Sequence, residues 1–124
     1  MIPGRHPTHP SFSRSFLFAL QGLRTAIRQE RNIKVMLAGG IGVIILGFVM
    51  KLDIPSWIVV ILCIGIVISS ELVNTAVETV VDLVSPEFHP LAGRAKDIIA
   101  GSELVLCFAV SIVGLIVFLR ALLS

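Results

Sequence analysis

From Phe12 the chain alternates apolar and polar residues at helical spacing, and from Val35 it turns almost wholly apolar in three stretches. In the first part Phe12, Phe16, Leu20, Leu23 and Ile27 fall within about 80° on a wheel of about 100° per residue, with Arg14, Gln21, Thr25, Arg28 and Asn32 opposite. That pattern predicts a basic amphipathic helix over residues 12–32, lying on a membrane surface. Glu30 is the exception: the same wheel sets it at the edge of the apolar stripe, turned toward the bilayer or toward other helices.

The first apolar stretch predicts a span over about residues 33–50, in which Gly39, Gly40, Gly42 and Gly47 permit close helix contact. A second, over about residues 56–84, opens at the interfacial anchor Trp57, carries no charge through Ser70 and continues as a polar-striped helix. Breaks at Ser85-Pro86 and His89-Pro90 precede a third, over about residues 91–120. Residues 1–11 hold three prolines and two histidines (His6, His9) in no periodic pattern and read as a flexible tail, which leaves residues 12–124 as a single membrane domain. The expected fold class is all-α and integral to the membrane, an N-terminal surface helix followed by three transmembrane helices.

Composition agrees with this and narrows it. Of 124 residues, 56% are hydrophobic and 15% charged, with mean hydropathy +0.99, which excludes a water-soluble globule. Three spans of about 20 residues leave no room for a large extramembrane catalytic domain. The net charge of +2 is the small difference between ten basic and eight acidic residues and does not suggest a nucleic-acid binder. Cys63 and Cys107 lie in apolar runs and read as small hydrophobes. Six basic residues (Arg5, Arg14, Arg24, Arg28, Arg31, Lys34) precede the first span, Lys51 follows it, Arg94 and Lys96 follow the second, and Arg120 ends the third. The positive-inside rule then puts the N-terminus and the loop between the second and third spans in the cytoplasm.

The chemistry sits on one face of the second span. At about 1.5 Å per residue from Trp57, Glu71 lies about 21 Å down, Glu78 about 31 Å and Asp82 about 37 Å, against a hydrocarbon core of about 30 Å. Glu71, Asn74, Thr75, Glu78 and Asp82 share an arc of about 100°. Asp97 and Lys96 enter from the third span at the same interface, and Glu103 lies about 9 Å deeper. Carboxylates at a lipid–water boundary suit two tasks: holding Mg²⁺ that carries a polyphosphate, and taking a proton from an alcohol whose tail stays in the bilayer. Glu71, the more deeply placed, suits the second task, and Glu78 with Glu30 the first, while Lys96 would oppose phosphate charge.

Blander readings apply to some of these residues. Asp82, Glu87 and Arg94 are near enough to water to be solvated charges, Asn74 could serve as an interhelical hydrogen-bond donor, and His89 between prolines reads as a turn residue. The glycines of the first span form no phosphate loop. For Glu71 the bland reading is weak, because an ionisable group inside a membrane is costly.

The run Glu71-Leu72-Val73-Asn74-Thr75-Ala76-Val77-Glu78, then Val81-Asp82, His89-Pro90-Leu91 and Ala95-Lys96-Asp97, resembles the signature of the small prokaryotic diacylglycerol kinase and undecaprenol kinase family over about Phe12 to Leu119. The resemblance implies an integral membrane kinase of three-span chains, a homotrimer in the bacterial cell membrane with sites between chains, MgATP as donor and a membrane lipid alcohol as acceptor. By motif position it implies Glu71 as catalytic base, Glu30 and Glu78 as metal-binding acids that also contact ATP, and Lys96 and Asp97 on the nucleotide side. Asn74, with Arg14 and Asp82, would contact substrate or phosphate.

Glu30-Arg31-Asn32 and Ser85-Pro86-Glu87-Phe88-His89-Pro90-Leu91 resemble the Gram-positive undecaprenol kinase branch, whereas Gly93-Arg94-Ala95-Lys96-Asp97 is closer to Gram-negative diacylglycerol kinases. Undecaprenol is the acceptor favoured by this pattern, with diacylglycerol the alternative. Two positions depart from it: Met36 stands where the Gram-positive pattern usually has histidine, and Glu103 where a small residue is usual, so that Glu103 either shares a proton with Glu71 or pairs with Arg or Asn of another chain. A small proton-coupled transporter or channel is the rival class, but the run Ile58 to Ile68 offers no polar group to carry a proton across the midplane. A structural assembly module would leave the acidic face unexplained.

Overall fold

The computed structural model describes residues 11–124, which form four α-helices: α1 (Phe12–Gln29), α2 (Arg31–Val49), α3 (Ile54–Val84) and α4 (Pro90–Leu123). Of the tail expected at residues 1–11, all but Ser11 lies outside the described residues, and the Ser11 hydroxyl caps α1 by accepting the Arg14 N–H. The first helix ends at Gln29, three residues earlier than the apolar periodicity indicates, because Glu30 leaves the α region (φ −107°, ψ 115°). A period of 3.6 persists through a single-residue break, so the pattern alone misses it; the consequence is that Arg31 and Asn32 belong to α2.

Helices α2, α3 and α4 are each long and apolar enough to cross a membrane. At about 1.5 Å per residue, α3 exceeds a hydrocarbon core of about 30 Å, so its polar-striped end projects past the lipid. The turn from α2 to α3 is a Schellman motif: Leu52 N–H donates to Gly47 O at 3.1 Å and Lys51 N–H to Phe48 O at 3.2 Å, with Lys51 left-handed at φ 54°. Asp53 then caps α3, its Oδ1 accepting Ser56 N–H at 3.0 Å. His89 caps α4 through Nδ1, which accepts Leu91 N–H at 3.1 Å, and Pro90 occupies the first turn, where its missing N–H costs nothing.

The sparse core lies near the α2–α3 turn, where buried Leu52, Val60 and Val117 pack with Val43, Trp57, Ile64 and Phe118. Helix α3 packs between α2 and α4, and α1 lies against α2 and α3. The antiparallel α3–α4 register is marked by three polar pairs at successive levels: Arg120 with Asp53, Ser70 with Glu103, and Lys96 with Asp82. Most other large apolar side chains face outward, as they do when the solvent is lipid.

Candidate active site

Glu71 is the buried charge of the bundle. With 4% of its surface exposed, it is the sole buried acid among the described residues. Asn74, one turn further along α3, and Asn32, from the first turn of α2, lie within hydrogen-bonding reach of its carboxylate, and Glu103 and Glu78 within electrostatic reach. The break at Glu30 starts α2 early enough to present Asn32 to α3. The wheel that ran α1 through residue 32 had set Asn32 on an outward polar face, so this neighbour was missed.

Glu103 reaches the same level from α4. Its Oε1 accepts the Ser70 hydroxyl at 2.5 Å, and its Oε2, like Asn74 Oδ1, is buried without a hydrogen-bond partner among the described residues. The sequence reading offered Glu103 a shared proton with Glu71 or a partner on another chain; within this chain its partner is Ser70. A register argument would have found it, because folding α4 back on α3 about the centre of the 85–89 loop sets residue 70 opposite residue 103 to within one position.

Of the remaining candidates, Glu78 and Asp82 lie on the last turns of α3 and Lys96 and Asp97 on the first turns of α4, whereas Glu30 forms the break between α1 and α2 and Arg14 is on the first turn of α1. Glu30 and Glu78 are half-buried, and neither joins the salt bridges found among the described residues. Asp82 is exposed and pairs with Lys96 at 2.6 Å, and Glu78 also lies within electrostatic reach of Lys96. Asp97 and Arg14 are exposed. Among the described residues no three His, Cys, Asp or Glu side chains converge as a metal-binding group. The donor chemistry of Glu30 and Glu78, carboxylates uncommitted to basic partners, fits Mg²⁺, which takes one or two protein carboxylates and completes its shell with substrate phosphates and water.

An apolar groove of about 620 Å³ runs between α2, α3 and α4. Met36, Gly40, Cys63, Ile64, Val67 and Ile68 line it, so it comes within one helical turn of Glu71. The arrangement therefore combines a buried carboxylate facing two amides, an apolar groove leading to it, and a graded series of acids running out to water.

The sequence profile of the family described as prokaryotic diacylglycerol kinase matches residues 17–118. The chain is 41% identical over 111 residues to the undecaprenol kinase of Bacillus subtilis, covering 90% of each chain. It is 37% identical over 116 residues to a diacylglycerol kinase of Synechocystis, covering 93% of this chain and 66% of that one. To the diacylglycerol kinase of Escherichia coli K12 it is 34% identical over 95 residues, covering 72% of this chain and 71% of the other.

Proposed function

The chain belongs to the prokaryotic diacylglycerol kinase family and is a membrane-embedded lipid kinase, and on that premise we propose that it transfers the γ-phosphoryl group of MgATP to the hydroxyl of undecaprenol. The observation that carries the reading is the buried Glu71, facing two amides at the end of an apolar groove. The isoprenoid chain lies in the groove with its hydroxyl at the Glu71 carboxylate. Glu71 accepts the hydroxyl proton as the oxygen attacks the γ-phosphorus, and ADP leaves. No covalent enzyme intermediate is required, because positioning and charge stabilisation carry most of phosphoryl transfer.

The Asn74 and Asn32 amides hold the carboxylate in place. Mg²⁺ would be held by Glu30 and Glu78, where it supplies charge neutralisation for the polyphosphate. Lys96 exchanges Asp82 for a phosphate oxygen; the pair is exposed, with 43% and 63% of the two side chains open, so its rupture costs little. Asp97 contacts the nucleotide, and Arg14 reaches phosphate from α1. That helix lies on the membrane surface, its exposed Phe12, Phe16 and Leu20 in the acyl boundary. The active enzyme is a homotrimer of 12–124 domains in the bacterial inner membrane, with the N-terminus and site on the cytoplasmic side.

Purified protein incubated with labelled ATP, Mg²⁺ and either undecaprenol or diacylglycerol tests the reading. Labelled undecaprenyl phosphate is expected, and Glu71→Gln lowers its formation by about 10²–10⁴-fold, the range for loss of a general base. Label on neither lipid sinks the kinase assignment. Diacylglycerol is the second reading, favoured by the relatives in Synechocystis and Escherichia coli, and preferential label on it would replace undecaprenol as acceptor.

A further inference from the structure

Glu103 has no task in the mechanism above, although a carboxylate within a membrane span is costly. We propose that Glu103 is a positioning residue that aims Glu71, acting through its hydrogen bond with Ser70; the inference rests on the reading of Glu71 as the base. Among the described residues three side-chain hydrogen bonds mark the α3–α4 register, of which Arg120–Asp53 lies at the α3 N-cap and Lys96–Asp82 near the loop, both exposed. Ser70–Glu103 is partly buried and lies at the level of Glu71.

Ser70 and Glu71 are consecutive on α3 and therefore project about 100° apart. When Ser70 faces α4, Glu71 is turned toward Asn32 of α2, so a single rotation of α3 satisfies both contacts. The core packing of α3, through Trp57, Val60 and Ile64, lies well before Glu71, so at and beyond that level polar contacts help fix the rotation. The buried residues of α3 are Ser56, Val60 and Glu71, and none follows Glu71 to the end of the helix. A serine inside a helix ordinarily turns its hydroxyl to a carbonyl of the preceding turn. Here the side chain of Glu103 crosses the gap from α4 and supplies an acceptor that a small residue at that position lacks.

The experiment measures lipid phosphorylation and Glu71 accessibility in the same purified variants. Ser70→Ala and Glu103→Leu are each expected to lower kcat about tenfold with KM for ATP unchanged, since a displaced base slows chemistry without loosening the nucleotide. The double variant falls no further, because the two changes remove one interaction. Glu103→Gln stays within about threefold of the parent, its amide oxygen still accepting from Ser70. Full kcat in Ser70→Ala, about hundredfold loss in the double variant, or Glu103→Gln as impaired as Glu103→Leu would each overturn the inference.

The second readout needs no lipid substrate: dicyclohexylcarbodiimide, a membrane-soluble carboxyl reagent, with modification at Glu71 read by mass spectrometry. The parent and Glu103→Gln are expected to label weakly, and Ser70→Ala and Glu103→Leu severalfold more strongly. Equal labelling in all four overturns the inference. If the parent phosphorylates no lipid, the kinase reading fails while the labelling pattern still decides the role of Glu103.

Discussion

Gly47 sits where α2 turns back into α3, and replacing it by alanine should destabilise the bundle while leaving the chemistry intact. A Cβ at this position falls 2.7 Å from Trp57 Cη2, closer than real Cβ contacts, and 3.1 Å from Leu52 Cδ1, tighter than most of them. Retreat is restricted: the Trp57 ring lies tilted against Phe48 with centroids 4.8 Å apart, and the Leu52 side chain is buried in the core cluster. Overpacking of this kind costs about 1–3 kcal/mol, and the better helix propensity of alanine returns up to about 1 kcal/mol. With the rigid indole putting the cost in the upper half of that range, the net loss of about 1–2 kcal/mol corresponds to a melting midpoint about 4–8 °C lower. Thermal unfolding in detergent measures it, with Gly42→Ala as control, because a Cβ at Gly42 meets nothing within 4 Å among the described residues. Trp57 and Glu71 lie about 21 Å apart along α3, so kcat at a permissive temperature should match the parent. A Gly47→Ala protein melting at or above the parent would refute the packing described for this turn.

Glu78→Gln should raise the Mg²⁺ concentration needed for half-maximal phosphorylation by about tenfold, with the fully saturated rate less affected; an unchanged Mg²⁺ requirement would remove Glu78 from the metal site. Lys51→Gly should raise the melting midpoint by about 2–4 °C, since Lys51 carries a left-handed backbone (φ 54°) that costs a side-chain-bearing residue about 1–2 kcal/mol, of which the greater freedom of unfolded glycine takes back about 0.5–1 kcal/mol. Asp53 is held below the usual carboxylate range by hydrogen bonds from Ser56, with Arg120 adding to the effect. Because its folded value is depressed, its stabilisation is present above the usual range and lost as pH falls through the lowered value. The melting difference between parent and Asp53→Asn should therefore be present near neutral pH and shrink on acidification, and a difference independent of pH would contradict the assignment.

The helices were legible because their signals are local. Trp57, the two proline breaks and the unbroken apolar runs set the three spans to within a few residues of α2, α3 and α4. Glu71 and Asn74 were legible for the same reason, being neighbours at fixed spacing on one helix. What the chain order hid was anything that depends on one torsion or on a second helix. The extended backbone at Glu30 carries no periodic signature, yet it moves Asn32 from the outer face of a surface helix to the carboxylate of Glu71. Glu103 looked anomalous because its partner, Ser70, lies 33 positions away.

The break at Glu30 and the Ser70–Glu103 contact share a physical cause. Within a lipid environment the apolar effect does little to hold one helix against another, so small and polar contacts set rotation and register. The core cluster of Leu52, Val60 and Val117 lies near the α2–α3 turn, and toward the Glu71 level the buried apolar side chain is Ile33, beside Asn32, with Asn74 and the Ser70–Glu103 pair as the polar neighbours. Polar side chains there hold the geometry as well as bearing on the chemistry. A substitution near Glu71 that looks electrostatic will therefore act partly through helix rotation, which is why an isosteric amide and an apolar residue at the same position are both needed to separate charge from orientation.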